Sequence, residues 1–368
     1  MSKVLIVFNH PAPYKVKLFN ELAKHINLTV IFERDKNKDR DKDFYEETNY
    51  NFKTVKIQGL KLGRENIVSS GIVKHLKHNH YDLIIMNGYS QFAEMKAISY
   101  LIKHNIPYTL YINGGLIRKK ESSFRRKLKT KYVSHAENYL SPDENSNKFL
   151  VHYGADKSLI YNYPYSTIYD KEVLPSCYDQ EAKLEMRETS SAHEEKIFVS
   201  CGQLIKRKNY LELIKKWREV NPNYGLYIIG EGKQKKLLQR CIDENRIHNV
   251  HLLGYLKRNE LFSFYHLADG FIFPSDEDIY GHVINEAMSQ GLPVISTPNV
   301  NAAKKLIKDG YNGYIISSLD NDELLIAIDN VINSKLGNNA IKTAYENTIE
   351  KMVDAHLEIF KRIIKQWI

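Results

Sequence analysis

Asp278 and Glu286 stand on either side of a glycine at the start of a short apolar pattern, carboxylates that could accept hydrogen bonds from a polar ligand. The stretch 271–296 reads as a strand, an acidic turn at Asp276, Glu277 and Asp278, then Gly281 and a short helix stopped by Gly291 and Pro293. Tyr280 and Gly281 fall at the helix N-terminus, where unpaired amides and the helix dipole favour an anion such as a diphosphate. Gly281 lets the backbone come close to it. Glu286 lies one turn further on, beyond capping range, where a carboxylate can accept hydrogen bonds from two ribose hydroxyls. Taken alone, the three acids read as a solvated turn and Glu286 as an exposed helix residue.

The elements that must hold such a site alternate along the chain. Strands are expected at 3–8, 28–32, 52–57, 83–86 and 108–112, with helices at 14–25, 65–77 and 91–104. Residues 33–50, dense in alternating charge, read as a mobile loop. The acid-rich stretch 171–195 contains Pro175 and lacks an apolar period, and reads as a linker region. Alternation restarts with strands at 197–201, 225–229, 250–253, 270–273 and 293–296 and helices at 210–220, 235–244, 258–267 and 282–290. Residues 339–368 form one long helical pattern. Such alternation predicts α/β architecture with parallel sheets covered on both faces. The expected division is an N-terminal Rossmann-like domain over 1–170, the linker region, a second Rossmann-like domain over 196–345, and a C-terminal helix over 346–368 crossing back to the first domain. Ligands of such sheets sit beyond the carboxyl ends of the strands, which for two domains means the cleft between them.

Composition narrows the class. With 368 residues, 43% hydrophobic and 26% charged, the chain is neither disordered nor of low complexity. No apolar run approaches the roughly 18 residues of a membrane span. The N-terminus enters a strand at once, unlike a secretory leader. Cys177, Cys201 and Cys241 are too few and too scattered for a disulfide framework or a zinc knuckle, so a reduced, soluble, cytoplasmic protein is expected. The net charge of +9 is uneven: residues 1–170 hold 27 Lys/Arg against 17 Asp/Glu, and the remainder is close to neutral. A basic first half implies an anionic surface or ligand met by that half alone.

The acidic pair gains meaning from its neighbours. Asp278, seven intervening residues and Glu286, followed by Ala-Met-x-x-Gly-Leu-Pro-Val, resembles the nucleotide-sugar site of retaining glycosyltransferases of GT-B fold, family 4 in particular. Four further blocks in the same order are similar to that family: 201–209 (Cys-Gly-Gln-Leu-Ile-Lys-Arg-Lys-Asn), 228–232 (Ile-Ile-Gly-Glu-Gly), 250–255 (Val-His-Leu-Leu-Gly-Tyr) and 309–313 (Asp-Gly-Tyr-Asn-Gly). The resemblance implies two Rossmann-like domains facing each other across a cleft. It also implies roles: Lys208 paired with the donor diphosphate, Glu286 on the ribose hydroxyls, and Asp278 near the transferred sugar. Backbone donors would come from Ile279, Tyr280 and Gly281, with Gly202 and Gly230 in the phosphate-side turns and Tyr255 and Leu256 beside the base. Three departures stand out. The first acid is Asp278 rather than Glu, with Glu277 as the alternative; Gln203 replaces a common Arg, for which Arg207 is the available substitute; and residues 299–305 replace a Gly-rich, Glu-containing loop.

The first half matches more loosely. Residues 9–20 resemble the first loop and helix of related bacterial enzymes, making His10 and Tyr14 candidates for the acceptor or cleft, with Asn113 and Gly114 at a strand end. Residues 116–132 carry eight Lys/Arg and one Glu around Phe124, Leu128 and Tyr132, and read as a basic amphipathic helix able to lie on an anionic membrane. Arg118, Lys119, Lys120, Arg125, Arg126, Lys127 and Lys129 would make the contact.

The resulting expectation is a hexosyl- or N-acetylhexosaminyltransferase, retaining and metal-independent. It would move a sugar from a nucleotide diphosphate, UDP before others, to a lipid-linked or polysaccharide acceptor. The setting would be capsule, exopolysaccharide or lipopolysaccharide synthesis at the inner face of the plasma membrane. Competing readings are a sugar-nucleotide epimerase, an inverting GT-B transferase, and a non-catalytic basic protein binding membrane or nucleic acid; no nucleic-acid module with stacking aromatics is evident.

Overall fold

The computed structural model describes residues 1–35, 49–62, 66–117, 120–190, 192–319 and 322–367. The chain divides into two compact units, Met1–Tyr165 with Ile349–Ile368, and Ser166–Thr348. Most of the charged run 33–50, residues 36–48, lies outside the described residues.

The first unit contains β1 (Lys3–Phe8), β2 (Asn27–Phe32), β3 (Lys53–Lys56), β4 (Leu60–Leu62), β5 (Asn66–Val68), β6 (Leu83–Asn87), β7 (Thr109–Tyr111), β8 (Asn138–Ser141) and β9 (Ile160–Asn162). Among the described residues, seven of these form one parallel sheet in the order β3-β2-β1-β6-β7-β8-β9. Every residue of β1 after Lys3 is buried, and so is all of β6, as expected of strands with helices on both faces. The stretch 65–77, expected to be helical, divides instead. Asn66–Val68 pairs antiparallel with Leu60–Leu62, and the helix begins only at Gly71. The β-branched pair Ile67-Val68 favours extended backbone over a first helical turn.

The second unit contains β10 (Lys196–Cys201), β11 (Tyr224–Ile229), β12 (Val250–Gly254), β13 (Gly270–Phe273), β14 (Val294–Ser296) and β15 (Gly313–Ile315). Their order, β12-β11-β10-β13-β14-β15, is all parallel and reverses direction between β10 and β13. Doubly wound sheets bind ligands at that reversal, beyond the carboxyl ends.

Residues 171–195, read as a linker, belong to this second unit. Asp179 caps a helix over Gln180–Glu188, whose Lys183 and Arg187 are buried. Arg187 donates to the Leu267 carbonyl at 2.9 and 2.7 Å and to Asp269 Oδ2 at 2.7 Å, and Lys183 reaches the Ala268 carbonyl at 2.6 Å. The segment is anchored by charged side chains rather than by an apolar stripe, which hides it from periodicity.

The long C-terminal pattern is two helices, Gly337–Tyr345 and Ile349–Trp367, broken where the chain passes from the second unit to the first. The buried Asn285 amide marks both passages. It donates to Ser166 Oγ at 3.2 Å and to the Asn347 carbonyl at 2.7 Å. The terminal helix packs on the helix Pro13–Leu22 within the first unit. There His356 lies 4.6 Å from the Tyr163 ring, and burial drives its imidazole down to about 3. Lys15 is fully buried, with Nζ donating to Tyr111 Oη at 2.6 Å and lying 4.4 Å from the Tyr165 ring centre; burial holds its amine well below the ordinary lysine range.

Candidate active site

The segment that follows β10 in the second unit makes a single tight turn over Lys206–Lys208, after which Asn209 adopts a left-handed conformation and starts the next helix. This turn is laced to the acidic turn after β13. The Asp276 amide and Ser275 Oγ donate to the Arg207 carbonyl at 2.8 and 3.0 Å, and Arg207 Nη1 donates to the Glu277 carbonyl at 2.8 Å. The two neighbours of the sheet reversal thus bring their basic and acidic residues together.

Lys208 is buried, with Nζ 4.2 Å from the centre of the Phe273 ring, and it donates to Asp278 Oδ2. Arg207 Nη1 approaches the same oxygen at 3.3 Å, and the Tyr280 amide donates to Asp278 Oδ1 at 3.2 Å. Burial pushes the Asp278 carboxyl up, but Lys208, Arg207 and the Tyr280 amide together hold it below the usual carboxylate range. Burial lowers the Lys208 ammonium, with Asp278 pulling the other way. Lys208 and Asp278, expected to meet different parts of a ligand, are each other's partners here. Arg207 does turn toward the acids, while Gln203 is exposed.

The backbone beyond Asp278 is fixed by the loop that departs from the family pattern. Asp278 donates its amide to the Asn299 carbonyl at 3.1 Å, Asn301 Nδ2 donates to the Ile279 carbonyl at 2.9 Å, and Ala302 donates its amide to the Tyr280 carbonyl at 2.7 Å. Gly281 then caps the helix His282–Ser289 at φ 96°, where an added Cβ would lie 2.6 Å from Val300 Cγ1. Only glycine fits there, and the Gly281 amide has no acceptor among the described residues. Ile279 is exposed and Tyr280 buried. On the β11 side of β10, a Cβ on Gly230 would clash with the Gly202 carbonyl, so these two candidates seal the β10 and β11 turns against each other. Tyr255, at 65% exposure, and the half-buried Leu256 follow β12.

Glu286 is held by residues that sequence reasoning missed. Its Oε1 accepts from Thr167 Oγ1 at 2.9 Å and from Arg258 Nη1 at 3.3 Å. Arg258 Nε in turn donates to Glu172 Oε1 at 2.8 Å. Thr167 lies 119 positions from Glu286 and the motif around Arg258 is featureless, so no local signal points to either. Nearby, burial and then the Glu286 charge push the Cys201 thiol up to about 12, so it stays protonated.

In the first unit, the His10 amide donates to Asn9 Oδ1 at 2.8 Å, Tyr14 packs edge-on to Tyr165, and Asn113 Nδ2 donates to Asn87 Oδ1 at 3.0 Å beside Gly114. The basic run forms a helix at Ser123–Val133, with Ser122 as its cap. Arg118 and Lys119 lie outside the described residues. Lys120, Arg125, Arg126 and Lys127 are exposed, as is Phe124 at 75%. The rest of the expected apolar stripe turns inward: Tyr132 is buried, and Leu128 packs against the core. Lys129 is likewise engaged, pairing with Glu121 at 2.6 Å and donating to Tyr153 Oη at 3.1 Å. Among the described residues no helix is long and apolar enough to cross a membrane, and no three His, Cys, Asp or Glu side chains gather as a metal site.

Known proteins share the sequence pattern of the second unit and the fold. Residues 182–347 match the family model described as Glycosyl transferases group 1. An uncharacterized glycosyltransferase of Methanocaldococcus jannaschii is 22% identical over 325 residues, covering 83% of this chain and 80% of that protein. The lipopolysaccharide core biosynthesis glycosyltransferase LpsE of Rhizobium meliloti is 24% identical over 170 residues, 44% of this chain and 49% of that one. Among solved structures, HepE of Anabaena in complex with UDP and glucose superposes with a TM-score of 0.74 at 16% identity, over 99% of both chains. The chain therefore has the GT-B fold and is similar to known glycosyltransferases, with residues 182–347 matching glycosyl transferases group 1.

Proposed function

We propose that the chain transfers a hexosyl or N-acetylhexosaminyl group, with retention of configuration, from a nucleotide diphosphate donor to a lipid-linked or polysaccharide acceptor in surface-glycan assembly. The observation that carries this reading is the Lys208–Asp278 pair beside the Gly281-capped helix, with Glu286 one turn further along. HepE, crystallised with UDP and glucose, supports a UDP-linked donor, and the name of LpsE supports a lipopolysaccharide-type product.

On this reading the donor diphosphate displaces Asp278 from Lys208. The ammonium, Arg207 and the Gly281 amide then face the phosphates, and Asp278 is released to the hydroxyls of the sugar. Charge building on the departing diphosphate meets groups already oriented toward it, the largest single source of rate in many enzymes. Glu286 takes the ribose hydroxyls, and Tyr255 and Leu256 border the base. The first unit, through His10, Tyr14, Asn113 and Gly114, receives the acceptor. Lys120, Arg125, Arg126, Lys127 and the exposed Phe124 rest on an anionic membrane surface, which places the enzyme at the inner leaflet.

The test is transfer from UDP-, GDP- and ADP-sugars to lipid extracts or oligosaccharide acceptors, with the product anomer read by NMR. Retention of the donor's configuration is expected. Inversion, or epimerised nucleotide sugar without transfer, would replace this reading.

A further inference from the structure

We infer that Arg258 is a positioning residue for Glu286, loading one carboxylate oxygen so that only the other is offered to the donor nucleotide. The inference rests on the reading of Glu286 as the ribose-binding acid. It concerns how the chain orients that acid.

Each nitrogen of the Arg258 guanidinium has an acceptor. Nε donates to Glu172 Oε1 at 2.8 Å, Nη1 to Glu286 Oε1 at 3.3 Å and Nη2 to the Thr167 carbonyl at 3.3 Å, while its centre lies 4.6 Å from the Phe262 ring. Burial opposes its charge, but Glu286 and Glu172 outweigh this and hold the guanidinium above its already high range. A planar fork held at several donors keeps its direction, which a flexible ammonium would not.

Glu172 is itself anchored. Its Oε2 accepts the Tyr169 amide at 2.8 Å, and its carbonyl accepts Gln290 Nε2 at 2.7 Å. The support therefore comes from the stretch 167–172, where the chain has just entered the second unit, and from the helix that carries Glu286.

The result at Glu286 is one-sided. Oε1 takes both Thr167 Oγ1 and Arg258 Nη1. Oε2 has no protein donor among the described residues, yet it is not one of the buried atoms left unpartnered. A carboxylate so held cannot rotate to share its oxygens. It presents a single acceptor, suited to the adjacent 2′- and 3′-hydroxyls of a ribose.

Isothermal titration of the full chain with UDP, GDP and ADP identifies the nucleoside diphosphate that binds, and its 2′,3′-dideoxy form is titrated alongside. Arg258→Gln is expected to weaken the ribose form about tenfold, some 1.4 kcal/mol, and the dideoxy form less than twofold. Arg258→Lys should recover part of the loss. Thr167→Val, which leaves the guanidinium in place, should shift the ribose form in the same direction by a smaller factor and shows the effect even where Arg258→Gln fails to fold. Equal losses for both nucleotide forms, or wild-type affinity in Arg258→Gln and Thr167→Val, would overturn the inference. Glu286→Ala separates the two levels. If it abolishes the preference for the ribose form while Arg258→Gln keeps it, the role of Arg258 alone is wrong. If it leaves that preference intact, or if none of the three diphosphates binds, the reading of Glu286 falls and this inference falls with it.

Discussion

Lys208 and Asp278, joined by an ion pair across the reversal of the second sheet, occupy the two positions where a diphosphate and its sugar are expected. The two charges neutralise each other, so on the proposed reading a donor competes with Asp278 for the lysine. Asp278→Asn weakens that competition. Free UDP should bind about three- to tenfold tighter to this variant, a gain of about 1 kcal/mol, while turnover falls because the sugar loses its acid. Calorimetry and steady-state rates on one preparation check both halves.

Asp269 offers a different kind of test, since it is 7% exposed and tied to Arg187 and Lys183 at the base of the same sheet. Removing one partner of a buried pair costs up to about 3–5 kcal/mol, and less here because Lys183 and the Ile197 amide still face Asp269. Arg187→Met should lower the unfolding midpoint in urea accordingly. Donor affinity of the folded fraction should stay unchanged.

Glu33 predicts a pH effect in the first unit. It is 3% exposed, and burial raises its carboxyl to about 7, against the opposing pull of Arg34 and the Glu94 amide. A carboxyl whose folded pKa is raised holds its proton better in the folded state, so stability is full below about 4.5 and is lost as pH rises toward 7. Glu33→Gln removes the penalty. Its stability relative to wild type should be near zero change at pH 4.5 and a gain of order 1–3 kcal/mol at pH 8. A gain independent of pH would refute the assignment.

The exposed basic helix predicts salt-sensitive membrane binding. Each basic group near an anionic surface contributes about 1 kcal/mol, so replacing Arg125, Arg126 and Lys127 by glutamine should weaken binding to phosphatidylglycerol vesicles by about two orders of magnitude at low salt. Phe124→Ser should weaken it further. Unchanged sedimentation with vesicles would remove this surface from the account.

What the sequence disclosed follows from where the information is local. The buried runs of β1, β10 and β13, and the Gly281 turn between two acids, are written in adjacent residues and are readable as such. The helix Gln180–Glu188 was hidden because Lys183 and Arg187 anchor it by polar contacts, which have no hydrophobic period. Leu128 and Tyr132 looked like the membrane face of a basic helix, but the first unit uses them for its own core. Thr167 and Arg258 reach Glu286 only through the fold, from 119 and 28 positions away. The loop 299–302 appeared to lack a needed acid; its part is instead to hold the backbone of residues 278–280 through three hydrogen bonds.

Thermal unfolding with a nucleotide sugar, in wild type and in Lys208→Ala, tests the donor site most directly. At one hundred times its dissociation constant, a bound ligand adds about 2.7 kcal/mol, or roughly 5–10 °C for a unit of this size. Wild type should show that shift with one of UDP-, GDP- or ADP-glucose, and Lys208→Ala should show little of it. Equal shifts in both proteins, or none in wild type with any of the three, would contradict the site.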